Sequence, residues 1–155
     1  MSIRTRPLAP HDHDDWQALF RAYIDFYRAE VSDDVVALTW SRLMDASSGM
    51  VGLCAVDSDD RPVGIALLVF HLSTWARTSY CYLEDLYVAP AARGRGVGEA
   101  LIEAVYRAAD DRGATRTYWV TEETNEGARR LYDRLAMQAP YVQYRRDAPA
   151  TLPKR

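Results

Sequence analysis

Lysine is almost missing from this 155-residue chain: Lys154 stands alone, and arginine supplies the rest of the 19 basic residues. Against 22 acidic residues the formal charge is -3, which excludes a protein that grips nucleic acid through a broad basic surface. Cysteine is scarce too. Cys54 and Cys81 are the two present; they can pair only if neighbouring strands bring them together, and no disulfide framework is implied. His11, His13 and His71 are scattered, so no spacing suits a metal, and no motif gives a cysteine a histidine partner. A cysteine in a strand is more often a small apolar filler. No stretch approaches the ~20 apolar residues of a membrane span, and residues 1–6 lack the apolar core of a signal peptide. The expectation is a soluble, cytoplasmic protein with no metal, no nucleic-acid partner and no membrane partner. Internal repeats, low-complexity tracts and interdomain linkers are absent as well.

What is there suits one folded unit. Hydrophobic residues make up 48% and charged residues 26%, the balance of a globular chain long enough to bury a core. The domain is expected over 1–146, with 147–155 a frayed tail. Residues 3–8 read as a strand. Asp12 offers an N-cap, and Trp16, Leu19, Phe20, Tyr23 and Tyr27 follow at near-helical spacing. A second helix is predicted over 34–44, with Leu38 and Leu43 facing inward. Strands over 51–56 and 63–71 flank the turn chemistry of 57–62, residues 73–78 form a loop, and 80–88 is a long strand. A helix after Gly96 carries Val97, Leu101, Ala104, Val105 and Ala108 on one face, with Glu103 and Arg107 paired on the other. Gly113 ends it. Residues 115–121 are rich in β-formers, Asn125 precedes a helix with Ala128, Leu131, Tyr132 and Leu135 on one face, and 141–145 is predicted to close the sheet. The order β-α-α-β-β-β-α-β-α-β specifies an α/β fold with a mixed sheet and helices on both faces.

The chemistry concentrates where the long strand, ending Tyr82-Leu83-Glu84-Asp85-Leu86-Tyr87-Val88, runs into Arg93-Gly94-Arg95-Gly96-Val97-Gly98-Glu99 and then a helix. Such a turn presents backbone N–H groups at the positive end of the helix, a cradle for phosphate or pyrophosphate. Gly96 and Gly98 would let phosphate oxygens approach the backbone, and Arg93 and Arg95 add positive charge. The spacing is neither the Gly-x-Gly-x-x-Gly fingerprint nor a P-loop. A Gly-x-Gly alone would mark no more than a flexible connection; the preceding strand and the following amphipathic helix favour the cradle. Glu84 and Asp85 are consecutive, so on a regular strand they face opposite sides. Two carboxylates inside an apolar strand are costly unless solvated or paired, which points to a polar cleft.

These features together resemble the GNAT N-acetyltransferase family, from the first strand to the last. The resemblance implies a single acyl-CoA N-acyltransferase domain with a mostly antiparallel sheet, acetyl-CoA as co-substrate and a homodimer. It implies that Leu86, Tyr87 and Val88 hold the pantetheine arm through their backbone. Arg93, Gly94, Arg95, Gly96, Val97, Gly98 and Glu99 would hold the pyrophosphate, and Asn125 and Arg129 would complete the coenzyme site. The stretch Asn125-Glu126-Gly127-Ala128-Arg129-Arg130-Leu131-Tyr132 matches the family's Asn-x-x-Ala-x-x-x-Tyr, which makes Tyr132 the acid that protonates the departing thiolate. Glu84 would be the base that relieves the amine of its proton. Ser73-Thr74-Trp75 and Tyr82-Leu83-Glu84-Asp85 are most similar to the diamine acetyltransferases and to bacterial proteins likened to the yeast histone-and-polyamine acetyltransferase. By that likeness Tyr23, Tyr27, Trp75, Glu84 and Asp85 line the site of a small amine. Ile24 and Ser73 stand where acids can occur in the diamine enzymes, which argues against a long polycation as acceptor. A protein amine as acceptor, or a non-catalytic acyl-CoA sensor, are the alternatives.

Overall fold

The computed structural model describes residues 3–149; Lys154 and most of the 147–155 tail lie outside the described residues. The elements are β1 (Arg4–Pro7), α1 (His13–Phe26), α2 (Asp33–Leu43), β2 (Met50–Val56), β3 (Pro62–Leu72), β4 (Ser79–Val88), α3 (Val97–Asp111), β5 (Arg116–Tyr118) and α4 (Glu126–Leu135). The five strands lie in sequence order, antiparallel except for the parallel β4–β5 pair. Among the described residues no helix is long and apolar enough to cross a membrane.

Alternation along the strands divides two cores between the two faces. Leu53, Ala66, Leu68, Cys81 and Leu83 meet α3 through Val97, Leu101, Ile102 and Val105, with Leu131 and Leu135 of α4 packed beside them. On the other face Cys54, Ile65, Leu67 and Tyr87 meet Trp16, Leu19 and Phe20 of α1 and Val36 and Leu43 of α2. Gly64 lets α3 lie close: a Cβ there would stand 3.1 Å from both Leu101 Cδ1 and Val97 Cγ1. Cys54 and Cys81 are both buried and free, on strands separated by β3, where they act as small apolar fillers.

Three local expectations need correction. Asp12 does not cap α1 with its side chain. Its buried carboxylate instead accepts from the Arg6 guanidinium at 2.7 and 3.0 Å and from Ala9 N at 2.8 Å. Arg6 in turn reaches Asp60 of the β2–β3 turn, so a charge cluster pins β1 to the hairpin; a buried carboxylate needs these partners more than the helix needs a cap. Leu38 faces outward, 44% exposed. Val36 and Leu43, seven apart on one stripe, bury instead, and Leu38 lies about 200° around the helix from Val36. Residues 141–145 form no strand: Tyr141, Val142 and Tyr144 are at least 80% exposed, because the segment finds no ladder partner on the short β5 within this chain.

Candidate functional site

The site is created by an irregularity in β4. Opposite β3 the register runs Leu67 to Asp85 and then Leu68 to Leu83, which leaves Glu84 as the extra residue of a β-bulge. A bulge breaks the period of two. Before it, Cys81 and Leu83 face α3; after it, Leu86 and Val88 pack on that core while Tyr87 turns to α1. The inversion corrects the expectation for a regular strand: Glu84 and Asp85 do not oppose one another across the sheet but line the same cavity, of about 800 Å³, between the sheet and α1–α2. Tyr23, Ile24, Tyr27, Tyr82 and Glu122 line it with the two acids.

The pair is electrostatically stressed. Burial, and then the neighbouring Glu84 charge, push the Asp85 carboxyl up to about 7, against which the facing Tyr23 hydroxyl pulls down. Glu84 is more exposed, and partial burial raises it as well. Burial and the Asp85 charge hold the Tyr23 phenol far above its ordinary range. The rings of Tyr23 and Tyr27 meet edge-on at 5.0 Å, and Tyr23 meets Tyr87 at 5.9 Å. Aromatic faces beside carboxylates suit a cation.

Glu84 also lines a second, smaller cleft with Tyr23, Tyr27, Leu86, Trp119 and Tyr132. This cleft exists because β4 and β5 separate. Their pairing ends at Tyr82 with Tyr118, so β5 is shorter than the predicted 115–121, and the end of β4 has no ladder partner on that side. Tyr132 stands in the gap, edge-on to Trp119 at 5.3 Å, and burial pushes its phenol up to about 12. Asn125 caps α4, its Oδ1 accepting from Ala128 N and its Nδ2 donating to Thr121 Oγ1, both at 3.4 Å.

Beyond β4 the glycine turn is solvent-facing. Gly94 and Gly96 have φ of +76° and +80°, with open space where a Cβ would stand; Gly96 opens α3 in the left-handed conformation. Gly98 differs. A Cβ there would press on Leu131 Cδ2 at 3.2 Å, so its smallness lets α3 and α4 approach. Val97 is buried in the core. Arg93 is drawn back from the turn, its Nε donating to Val88 O at 3.0 Å and its guanidinium 5.4 Å from the Tyr87 ring centroid. Arg95 is exposed. Glu99 pairs with Arg134 of α4 at 3.3 Å.

Two named residues stand apart from this constellation. Trp75 is 87% exposed on the loop after β3 and lines neither cavity, because its neighbours form a tight turn in which Trp75 N donates to Ser73 Oγ. Arg129 directs its guanidinium to Glu123 O at 2.8 Å and Gln138 Oε1 at 3.2 Å; it ties together the segments flanking α4. Sequence reasoning missed Glu122, Gln143 and Arg145, which line the larger cavity. No local pattern marks them, since they arrive from segments without regular structure.

The pattern of the acetyltransferase (GNAT) family matches residues 16–137. The chain is 34% identical over 146 residues to a D-amino-acid N-acetyltransferase of Saccharomyces cerevisiae, covering 94% of this chain and 91% of that one. It is 38% identical over 76 residues to a thialysine N-epsilon-acetyltransferase of Bos taurus, covering 49% of this chain and 44% of the relative. Among solved structures, AAC(6')-Iy in complex with the bisubstrate analog CoA-S-monomethyl-acetylneamine shares the fold with a TM-score of 0.81 at 19% identity, covering 96% of this chain and 100% of that one. A probable acetyltransferase also reaches 0.81 at 21% identity, covering 96% and 98%.

Proposed function

We propose that this chain, which belongs to the acetyltransferase (GNAT) family and is an acetyl-CoA-dependent N-acetyltransferase, transfers the acetyl group directly to the primary amine of a small molecule within a ternary complex. The observation that carries the reading is the bulge at Glu84, which sets one carboxylate on both the acceptor cavity and the cleft holding Tyr132. The residues fit acetyl-CoA: Gly94 and Gly96 leave open space at the turn, and the unpaired end of β4 offers backbone groups along the gap to β5. The co-substrate supplies an activated acetyl thioester.

Every other contribution comes from the chain. An ammonium cannot attack a thioester, so its proton must go first. Glu84 takes it, directly or through a water, while Asp85 and the Tyr23 and Tyr27 rings hold the cation in place. The freed amine forms the new C–N bond to the acetyl carbon. Of Leu86, Tyr87 and Val88, those whose backbone N–H faces the unpaired side of β4, Leu86 and Val88, stabilise the negative oxygen that develops there, since the ladder with β3 takes the alternate residues. As the C–S bond breaks, Tyr132 donates its proton to the departing sulfur and is reprotonated, directly or through water, by the second proton that the nitrogen sheds as the amide forms; a phenol near 12 keeps its proton throughout the neutral range. Relatives whose names specify a D-amino acid and thialysine support a small amine as acceptor.

The test is the pH–rate profile of Glu84→Gln. Wild type should lose rate as the pH falls through the apparent pKa of its base. The variant should depend on amine already neutral in solution, so its rate should keep climbing at high pH. Identical profiles would remove Glu84 from the base role.

A further inference from the structure

The charged side chains that line the acceptor cavity are mostly acidic. Glu84, Asp85 and Glu122 line it, and Arg145 is the single arginine or lysine among its described lining residues. Arg145 lies on the extended segment beyond α4. Gln143, two residues earlier, also lines the cavity, whereas the intervening Tyr144 does not. That alternation is the period of extended chain. It brings an amide and a guanidinium, a fork of five N–H donors shaped for a carboxylate, to a cavity whose other charges are all negative. A bare amine or a polyamine has no use for such a fork, and a second ammonium beside it would be repelled.

We propose that Arg145, aided by Gln143, is a carboxylate-binding site, and that the acceptor is a free amino acid or similar zwitterion. Its ammonium lies at Glu84 and Asp85 and its carboxylate on Arg145. The inference rests on the acetyl-transfer reading above and narrows its acceptor. Arg145 already engages a carboxylate, with Nε 3.1 Å from Asp147 Oδ1 and a second contact to Oδ2 at 3.4 Å. Both partners are about three-quarters exposed, and an exposed pair of this kind contributes little, so a substrate carboxylate can take the place of Asp147. Ile24, Leu67 and Val69, which also line the cavity, offer apolar surface for an aliphatic or aromatic side chain.

The experiment compares amino acids with the amines that lack only the carboxylate: lysine against cadaverine, and phenylalanine against phenethylamine. Wild type should favour the amino acid of each pair in kcat/KM. Arg145→Ala should raise KM for amino acids about 10–100-fold, the usual loss for a hydrogen bond to a charged group. It should leave kcat nearly unchanged, leave the plain amines unaffected or improved, and be partly rescued by Arg145→Lys. Equal effects of Arg145→Ala on both members of a pair, or a wild-type preference for the plain amine, would overturn the proposal. Calorimetric titration of the same compounds into the protein with coenzyme A reads the carboxylate site without turnover. An amino-acid preference that Arg145→Ala abolishes, in a protein that acetylates none of them, would leave the carboxylate site standing and defeat the transfer reading alone.

Discussion

The glycine turn and the acceptor cavity lie at opposite ends of the same stretch of β4, and they are held by different things. The turn is backbone: two glycines at positive φ with open space around them and a helix starting at once. Everything it needs lies within a few residues, and its cost is met by glycine's freedom at positive φ. The cavity is side chains from α1, α2, β2, β3, β4 and the segments on either side of α4. It needs a bulge to bring two acids to one side and helices to cover Asp85, the acid displaced to about 7. The turn proposed for the coenzyme is thus cheap and local, whereas the cavity proposed for the acceptor is strained and long-range. Substitutions should affect binding of one partner in the first half and pH behaviour in the second.

The largest effect is expected at the turn. Gly96→Asp places a carboxylate where the cradle should receive phosphate, and acetyl-CoA affinity should fall on the order of 100-fold or more as charge-assisted hydrogen bonds give way to repulsion. Gly96→Ala is the control. Its Cβ meets open space, so it should cost the fold about 1–2 kcal/mol for a side chain at positive φ and weaken binding far less. Titration calorimetry on both folded variants decides it. Unaltered affinity in Gly96→Asp would remove the turn from coenzyme binding and, with it, the contrast between the halves.

Tyr132 stands at the seam. Tyr132→Phe keeps the ring against Trp119 and loses only the proton, so kcat should drop about 10²–10⁴-fold with acetyl-CoA affinity nearly intact. Full activity across the pH range would make Tyr132 a packing residue, and the seam would carry no chemistry.

The same contrast explains what was legible in the sequence. Strand and helix periods around Val97, Leu101 and Val105 gave the α3 face correctly, and Gly96 announced its turn, because each depends on neighbours in the chain. The sequence pattern offers Gly98 as room for phosphate, but its packing against Leu131 depends on a partner from another helix. The bulge at Glu84 leaves no local mark either; it is a register difference against Leu67 and Leu68, and sequence alone assigned the two acids opposite faces. Residues 141–145 carry β-forming residues, yet a strand forms only where an edge receives it. Family resemblance pointed to Trp75 beside the amine, but the loop that carries it turns back on Ser73.

Asp85 sharpens the acceptor side. From its ordinary value of 3.8 to about 7, the folded chain keeps a proton that the unfolded chain has released, so stability should fall as the pH rises through that window. Asp85→Asn removes the penalty. The variant should match wild type near pH 4 and be more stable at pH 8, by up to about 4 kcal/mol at about 1.4 kcal/mol per pKa unit. Its acceptor KM should rise while acetyl-CoA affinity holds. Urea unfolding at the two pH values reads the effect, and parallel curves would mean that Asp85 ionises freely and the cavity carries no strain.

The smallest effect is expected at Trp75, and its smallness is informative. A tryptophan that lined the amine site would supply a large aromatic face to the cation, and its loss would raise acceptor KM severalfold. Here the ring is 87% exposed and absent from both cavities, while Tyr23 and Tyr27 already supply aromatic faces beside Asp85. Trp75→Ala should therefore leave kcat and both KM values within about twofold and change stability by no more than about 0.5 kcal/mol, as for a surface substitution. Steady-state kinetics with an amine acceptor checks it. A clear rise in acceptor KM alone would mean that the 73–78 loop folds over the cavity when the acceptor binds. The cavity would then gain a further, movable wall.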